Sequence, residues 1–405
     1  MLNFTNMKTL KSIFFTLLIF AFVTDLYGQT STKLSLSDAR PISTAVPFLT
    51  ITPDARAGSM GDLGVATSPD VYSIYWNSAK YAFLDQKMGV GLSYTPWLHS
   101  VAQGISLSQL VGFYRLNDRQ SFAASVRYFT VGEIQLTNEL GQEISVYKPN
   151  EFAIDAAYAM KLGDHFAGSI ALRFIYSNIT GGISTAGIQT KPGVAFAGDL
   201  GFYYKNDYTL SGKQLDVNAG VFMSNLGSKI SYSDATLPSF IPANLRIGTW
   251  LNYHLNELNS LAWGIDFNKL LVPTPPIRDN EGNIIAGKDI SDMSVIAGIF
   301  NSLYYAPLGF REKLAEITVS TGMEYNYKNL FFARLGYFYE SPYKGDRQYM
   351  TAGLGLKYSS LGLDFSYLIP VNRVSPLDGT VRISLTINLG SHAKPTQSAA
   401  ESQQK

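Results

Sequence analysis

Cysteine is absent from this 405-residue chain, and histidine occurs only four times. The lack of cysteine excludes disulfide bonds, thiol nucleophiles and zinc–thiolate sites. The four histidines are scattered, and none lies in a G-x-S-x-G or H-E-x-x-H pattern. A formal net charge of only +1 argues against nucleic acid as a partner. We therefore expect no catalytic residue, no metal site and no cofactor.

Long apolar runs are also missing beyond the N-terminus. The run Ile13 to Val23 follows two lysines and precedes the small residue Gly28. It falls well short of the roughly 20 residues that a membrane-spanning helix needs, so a cleaved secretory signal is favoured over an anchor. We expect residues 1–28 to be the signal peptide. No later segment reaches spanning length without charges or glycines, so helical membrane spans are not expected.

The chain is instead rich in a two-residue alternation of apolar and polar side chains. Near the C-terminus, Val381, Ile383 and Leu385 point to one face of a strand, while Arg382 and Ser384 point to the other. A soluble sandwich has the same period, but recurrence in segments of roughly ten residues favours a transmembrane β-barrel. The 25 tyrosines and 24 phenylalanines would supply aromatic girdles at both membrane interfaces. A mean hydropathy near zero fits a wall with one lipid face and one wet face.

This pattern predicts an all-β fold, a 14-stranded antiparallel transmembrane β-barrel spanning residues 86–390, followed by a polar tail at 391–405. An even number returns the chain to the side where it began, with short periplasmic turns and longer external loops. The connection from Asn206 to Gly212 is the one periplasmic turn expected to be longer. The long external loops are 133–149, 179–193, 227–241 and 272–313. The predicted strands are 86–96, 102–116, 119–132, 150–162, 164–178, 194–206, 213–226, 242–254, 258–271, 314–327, 329–340, 347–358, 361–370 and 379–390.

Residues 29–85 precede the first strand and do not alternate. Their glycines at 58, 61 and 64 lack the spacing of a nucleotide-binding loop but favour close backbone packing. Four charged residues in this stretch are expected to pair with polar groups of the barrel interior, which would make it a plug or hatch. They are Asp54, Arg56, Asp62 and Asp70.

The loop at 272–313 is longer than a connection requires. Its acidic stretch at 279–283 lacks the EF-hand spacing and is interpreted as a hairpin tip. The following stretch, 293–305, is apolar and aromatic, and external apolar surface implies a partner or lipid headgroups. The residues expected to bind a partner are Ile296, Ile299, Phe300, Leu303, Tyr304 and Tyr305.

Carboxylates recur within the predicted strands, at Asp155, Asp199, Asp216, Asp266 and Asp364. A proton relay or a substrate site is one interpretation. The stronger one is that they face a wet or plugged lumen and pair with Arg173, Arg246, Arg334 or Lys357. Catalysis stays open as an alternative, because outer-membrane phospholipases use Ser and His on a barrel face.

The segment P-F-L-T-I-T-P-D-A-R-A-G-S-M-G-D-L-G-V-A-T-S-P-D at 47–70, with Y-W-N-S-A-K-Y at 75–81, resembles the N-terminal signature of the PorV (LptO) family, FadL-like barrels of the type IX secretion system. Stretches at 334–340, 345–358 and 362–370 resemble the family's C-terminal strands, so the resemblance covers most of the mature chain. Ser78 departs from the pattern, where proline is expected. The signature positions are Pro53, Asp54, Arg56, Gly58, Gly61, Asp62, Gly64, Trp76, Asn77, Lys80 and Tyr81.

The resemblance implies a bacterial outer-membrane carrier, surrounded by outer-membrane lipid. Such a carrier docks on the SprA translocon, receives folded cargo through the cargo's type IX C-terminal domain, and passes it to the PorU sortase complex. The alternative is a FadL-like transporter of hydrophobic small molecules, which needs an apolar pocket connected to the outside. A third alternative is a general porin. It needs an open, charged lumen, and the expected plug argues against this.

Overall fold

The computed structural model describes residues 34–137, 140–181, 184–185, 188–372 and 375–391. Fourteen antiparallel strands form one closed barrel, in which β1 pairs with both β2 and β14. The fourteen predicted strands are confirmed, each end within four residues of its expected position. The expected signal peptide and residues 392–405 of the expected tail lie outside the described residues. The strands are β1 (Gln86–Pro96), β2 (Ile105–Arg115), β3 (Gln120–Val131), β4 (Asn150–Lys161), β5 (Phe166–Asn178), β6 (Gly193–Leu210), β7 (Lys213–Gly227), β8 (Asn244–Asn256), β9 (Asn259–Leu270), β10 (Ile317–Tyr327), β11 (Phe331–Tyr339), β12 (Gln348–Tyr358), β13 (Leu361–Pro370) and β14 (Val381–Ser391).

The turn between β6 and β7 corrects one expectation. It is not a longer connection, because β6 continues to Leu210, which pairs with Lys213. Ser211 and Gly212 form a two-residue turn with φ of 52° and 76°, the left-handed backbone that tight hairpins favour. The extension of β6 is exposed on both faces at Asp207 and Tyr208, so no apolar alternation marked it.

The barrel wall has the expected apolar exterior. In β14, Ile383 and Leu385 are exposed on the outer face, whereas Arg382 and Ser384 are buried inside. Exposed tyrosines lie near both ends of the strands, for example at the external end of β1 (Tyr94) and the opposite ends of β2 and β10 (Tyr114 and Tyr325). This is the arrangement of an apolar band between two aromatic girdles.

The chain before β1 folds into the lumen. We call residues 47–84 the hatch. It consists of a 3-10 helix (Pro47–Thr50), two helical turns, α1 (Ala55–Gly58) and α2 (Ser73–Trp76), and a second 3-10 helix (Ser78–Phe83); a further 3-10 turn (Leu36–Asp38) precedes it. Apolar hatch residues such as Met60 and Leu63 are buried in one cluster with Phe222 and Trp250 of the wall. Burial of this apolar surface stabilises the hatch inside the barrel.

The connection between β9 and β10 is more structured than the sequence indicated. It carries a hairpin of strands Ile277–Arg278 and Ile284–Ala286, and the backbone N–H of Asn283 donates to Asp279 Oδ1 at 2.8 Å across its tip. Two helices follow, α3 (Val295–Tyr304) and α4 (Phe310–Ala315), so β10 begins at Ile317 and not at 314. Other external connections contain the hairpins Ile134–Thr137 with Glu143–Tyr147 and Ser184–Thr185 with Ile188–Gln189. Across the described ranges, every helix is too short or too polar to cross a membrane.

Candidate functional site: a closed lumen and an external apolar surface

Asp54 joins the two halves of the N-terminal signature. Its Oδ2 accepts a hydrogen bond from the backbone N–H of Ala57 at 2.9 Å and caps α1, which begins two residues after Pro53. Its Oδ1 accepts from the indole N–H of Trp76 at 2.7 Å. Asp54 is only 1% exposed, and a buried carboxylate needs such partners to offset its lost hydration. Residues 53–70 and 75–81 therefore form one folded unit.

Arg56 connects this unit to the barrel wall. Its guanidinium donates to Asp70 at 2.8 Å within the hatch and makes two hydrogen bonds of 3.1 Å to the carboxylate of Glu324 on β10. Glu324 also accepts from Arg334 of β11 at 2.7 Å. Paired, bidentate contacts of this kind are the strongest class of side-chain hydrogen bond.

Further hydrogen bonds fix the middle of the hatch. Asp62 accepts from the hydroxyl of Tyr349 at 2.5 Å, on β12. Nearby on the wall, Asp266 of β9 accepts from the backbone N–H groups of Gly64 at 2.8 Å and Val65 at 2.9 Å. The hatch is thus bonded to both β9 and β12 of the barrel wall.

The second signature segment is held in the same way. Asn77 donates to the carbonyl of Phe202 on β6 at 2.9 Å, and Lys80 donates to the carbonyl of Gly64 at 3.1 Å. The hydroxyl of Tyr81 donates to the carbonyl of Val71 at 2.7 Å. Ser78, the departure from the family pattern, begins the second 3-10 helix, and its hydroxyl lies 2.8 Å from that of Ser169 on β5. The first helical position also suits proline, so the turn needs neither residue specifically.

Hatch and wall approach backbone to backbone at two glycines. Gly61 has φ of 70°, and a side chain there would lie 2.5 Å from the carbonyl oxygen of Tyr337. A side chain at Gly336 of β11 would overlap the backbone of Met60. Gly58 similarly leaves room for the side chain of Arg382. Only glycine permits this spacing, which leaves no gap between hatch and wall here.

The final strand also holds the hatch. The hydroxyl of Ser384 accepts from the backbone N–H of Ala55 at 2.8 Å, and Arg382 donates to the carbonyl of Thr52 at 3.2 Å. Both side chains come from β14, the strand that closes the barrel against β1.

Three of the five lumenal carboxylates pair with the arginines named from the sequence. Arg173 contacts Asp155, and it donates to Asp199 at 2.8 Å. Arg334 donates to Asp364 at 2.6 Å. Asp155 and Asp199 lie on the two strands that flank Arg173, whereas the pair of Arg334 and Asp364 spans β12. All three carboxylates therefore have the structural role expected of them.

The other two carboxylates have different partners. Asp216 lies 2.9 Å from His254, and Asp266 bonds to the hatch as described above. Among the residues that the structure describes, Arg246 has no carboxylate within 4.0 Å, and it donates to the backbone carbonyl of Tyr75 at 3.0 Å. Its guanidinium lies 4.8 Å and 4.9 Å from the ring centres of Tyr75 and Trp76, in cation–π geometry.

Two cavities lie on opposite sides of the hatch. The outer one, of about 480 Å³, lies at the ends of the strands joined by long loops, and Glu340 and Arg347 contribute to its lining. The inner one, of about 450 Å³, lies near the short turns, and Glu324 and Lys357 contribute to its lining. Both are lined mainly by polar and charged side chains.

The external surface carries an unusual helix. In α3, Ile296, Phe300, Leu303 and Tyr304 are exposed by 70%, 61%, 47% and 71%, and we call these four residues the apolar ridge. Their spacing places them on one helical face. Ile299 and Tyr305, also expected to bind a partner, are half-buried. The opposite face, including Asn301, is buried against the protein, so α3 presents its apolar side to the outside.

A buried ionic group holds this helix on the barrel. We call Lys269, Glu312, Lys313, Glu316 and Lys344 the rim cluster. Lys313 donates to the carbonyl of Ser302 at 2.7 Å and to Glu316 at 3.0 Å, Lys269 donates to Glu316 at 2.6 Å, and Lys344 donates to Glu312 at 2.6 Å. These bonds join α3 and α4 to the ends of the strands, so the helix that carries the ridge is held rigidly on the barrel.

The rim cluster shifts the pKa of its members. Burial, together with repulsion from Lys269, lowers the pKa of Lys313 to about 8. Burial alone would raise the pKa of Glu316, but the ammonium groups of Lys269 and Lys313 outweigh it and lower that pKa.

The family model for type IX secretion system protein PorV matches residues 34–277, which include the hatch and β1 to β9. This match covers more than half of the chain. The chain belongs to the PorV family. As a PorV-family barrel with a lipid-compatible exterior, it is a protein of the bacterial outer membrane. No curated protein sequence matches the chain significantly.

Solved structures resemble this PorV-family barrel at low sequence identity. The P. putida toluene transporter TodX is 12% identical, with 84% of this chain and 99% of TodX covered and a TM-score of 0.48. The CymD monoaromatic hydrocarbon channel is 13% identical, with 87% and 100% covered and a TM-score of 0.47. A Pseudomonas aeruginosa FadL homologue is 12% identical, with 84% and 99% covered and a TM-score of 0.38. None reaches a TM-score of 0.5, so the fold rests on this chain's own strand pairing.

Proposed function

We propose that this protein is a docking and carrier subunit of type IX secretion. It binds the SprA translocon through the apolar ridge, receives folded cargo through the cargo's C-terminal domain, and passes the cargo to the PorU sortase complex. Membership of the PorV family supports the secretion context.

The observation that carries the proposal is the exposed apolar ridge of α3, which the rim cluster holds in place. Exposed contiguous apolar surface is costly in water and marks interaction sites. Aromatic side chains such as Phe300 and Tyr304 commonly dominate interface energies once a partner buries them. Because the rim cluster already orders α3, docking requires little additional conformational entropy.

Transport of hydrophobic small molecules, as named for TodX and CymD, is the competing hypothesis. A transporter of this kind needs an apolar pocket with access to the outside. Both lumenal cavities are lined mainly by polar and charged residues, and hatch residues line each of them. These features favour docking over passage through the lumen.

The test is affinity purification of the tagged full-length protein from outer membranes in mild detergent, followed by mass spectrometry. We compare wild type with the triple variant Ile296→Ser, Phe300→Ser, Tyr304→Ser. The matched control is Leu258→Ser, which removes an exposed apolar side chain from the periplasmic turn between β8 and β9. Loss of even one aromatic anchor typically costs about 2 kcal/mol or more, so we expect recovery of SprA to fall by at least about tenfold in the triple variant alone.

Two results would count against the proposal. Equal recovery of SprA with wild type and with the triple variant would exclude the ridge as the docking surface. Recovery of the barrel with bound fatty acid or other apolar small molecules, and without SprA or cargo, would favour transport.

A further inference from the structure

The outer cavity contains hydrogen-bond acceptors that the protein leaves unused. Among the described residues, the Oδ1 atoms of Asp62, Asn244, Asp266 and Asn268 are buried without a hydrogen-bond partner, and all four side chains line this cavity. Asn244 and Asp266 are only 4% and 3% exposed. Buried polar groups are nearly always satisfied, by the protein, by water or by a ligand. The cavity is therefore equipped for a molecule that donates hydrogen bonds.

The charges of the lining select the class of ligand. Most charged side chains there are already paired, such as Glu340 with Arg347 at 2.8 Å and Lys344 with Glu316 at 3.5 Å. Within the part of the chain that the structure describes, Asp266 has no ion-pair partner within 4.0 Å, and nor does Arg246.

These two residues carry opposite charges on the neighbouring strands β8 and β9. A simple cation would be attracted by Asp266 and repelled by Arg246, and a simple anion would experience the reverse. A hydroxyl group both donates and accepts, so it satisfies an unused carboxylate or amide oxygen and a guanidinium together. The lining thus favours a neutral ligand with several hydroxyl groups.

The cavity has a suitable size and position. Its volume of about 480 Å³ lies within the range of small-molecule sites. The exposed residues Ser43, Pro47 and Thr50 contribute to its lining, which places an opening at the external surface. The chain at this opening is held in place, because Lys344 donates to the carbonyl of Arg40 at 3.0 Å and the backbone N–H of Ala45 donates to the carbonyl of Phe240 at 2.9 Å.

We propose that the outer cavity is a saccharide-binding site, with Asn244, Asp266 and Asn268 accepting from sugar hydroxyls and Arg246 donating to them. Water occupies such polar sites in the free protein, and a sugar replaces it with hydroxyls of matching geometry. Either a free saccharide or the sugar portion of an outer-membrane glycolipid carries this chemistry.

The first experiment is saturation-transfer NMR on the full-length protein. We purify it in lauryldimethylamine oxide, because glycoside detergents would compete for the site. Maltose is the saccharide probe, and ethylammonium and acetate are the cationic and anionic probes. We expect saturation transfer to maltose at millimolar concentrations and none to the two ions.

Two variants locate the site. Asn244→Leu keeps the branched shape of the side chain but removes its hydrogen-bond acceptor, and the loss of one hydrogen bond should weaken maltose binding by about fivefold. The matched control, Asn388→Leu, makes the same change in the lining of the inner cavity and should bind maltose like wild type. A gel-mobility shift on heating verifies that each variant is folded.

Oligosaccharide released from lipopolysaccharide distinguishes the two sources. Tighter binding of this oligosaccharide than of maltose points to a glycolipid, and equal or weaker binding points to a free saccharide. Three results would overturn the proposal: no transfer to maltose in wild type, transfer to an ion instead of to maltose, or the same maltose affinity in Asn244→Leu as in Asn388→Leu. The proposal would also be overturned if only intact lipopolysaccharide bound and Asn244→Leu did not weaken its binding. Contacts between the acyl chains and the outer face of the barrel would then explain the binding.

Discussion

Replacing Arg56 with leucine should loosen the hatch without unfolding the barrel. The variant leaves Glu324 with Arg334 as its ion-pair partner and removes the arginine that pairs with Asp70. Breaking a buried ion pair costs about 3–5 kcal/mol. The lower end of this range applies here, because Glu324 keeps one partner and Asp70 has 22% of its side chain exposed. Since each 1.4 kcal/mol changes an equilibrium tenfold, about 3 kcal/mol raises the population of displaced hatch by about a hundredfold.

Conductance in planar lipid bilayers measures this displacement directly. We expect wild-type barrels to be almost silent, because the hatch lies in the lumen, and Arg56→Leu to give frequent openings. Arg311→Leu is the matched control, since it removes an exposed arginine from α4 outside the lumen. If folded Arg56→Leu barrels are as silent as wild type, the ion pairs of Arg56 do not keep the lumen closed.

Two further predictions concern packing and protonation. Gly336→Ala should destabilise the folded barrel by about 1–3 kcal/mol, measured by unfolding in urea, because the added methyl group overlaps the hatch. Gly362→Ala is the control and should change the stability very little, because the nearest atom to its methyl group would lie 3.5 Å away. Equal effects of the two substitutions would contradict the close contact between hatch and wall. Competitive amine labelling of Lys313 should have a midpoint near pH 8. The control is the exposed Lys148, whose pKa is raised by its hydrogen bond to Glu133, so it should be labelled only at higher pH. The same midpoint for both lysines would contradict the lowered pKa of Lys313 in the rim cluster. Because burial lowers the pKa of Lys313 on folding, its contribution to stability is greatest above its unfolded pKa and is lost as the pH falls through 8.

The barrel was predictable because lipid imposes one side-chain rule on every strand. Residues such as Ile383 and Leu385 face lipid and their neighbours face the lumen. The resulting two-residue alternation is visible in the sequence and predicts each strand of the barrel. The rule fails where a strand leaves the membrane, as in the extension of β6 to Leu210. There both faces meet water, and no apolar alternation is required.

The candidate site was only partly predictable. The charged signature residues were expected to pair inside the barrel, but local sequence does not indicate which distant strand supplies Glu324 or Asp266. Helix α3 was missed, although Ser294 caps it and accepts from the backbone N–H of Ala297 at 3.3 Å. Apolar residues four apart after such a cap were the available signal. The rim cluster gathers residues from the end of β9 and from two connections, and only the folded chain brings them together.

The contacts of β14 with the hatch have a consequence for biogenesis. Ala55 is among the first residues of the hatch to be synthesised, and Ser384 lies on the last strand, yet they share a hydrogen bond of 2.8 Å. The same strand completes the wall by pairing with β1. Insertion of the plug and closure of the cylinder are therefore coupled steps of assembly. A nascent barrel in which β1 and β14 are not yet paired also lacks the hydrogen bonds between β14 and the hatch. An intermediate with a complete wall and a displaced hatch is therefore disfavoured.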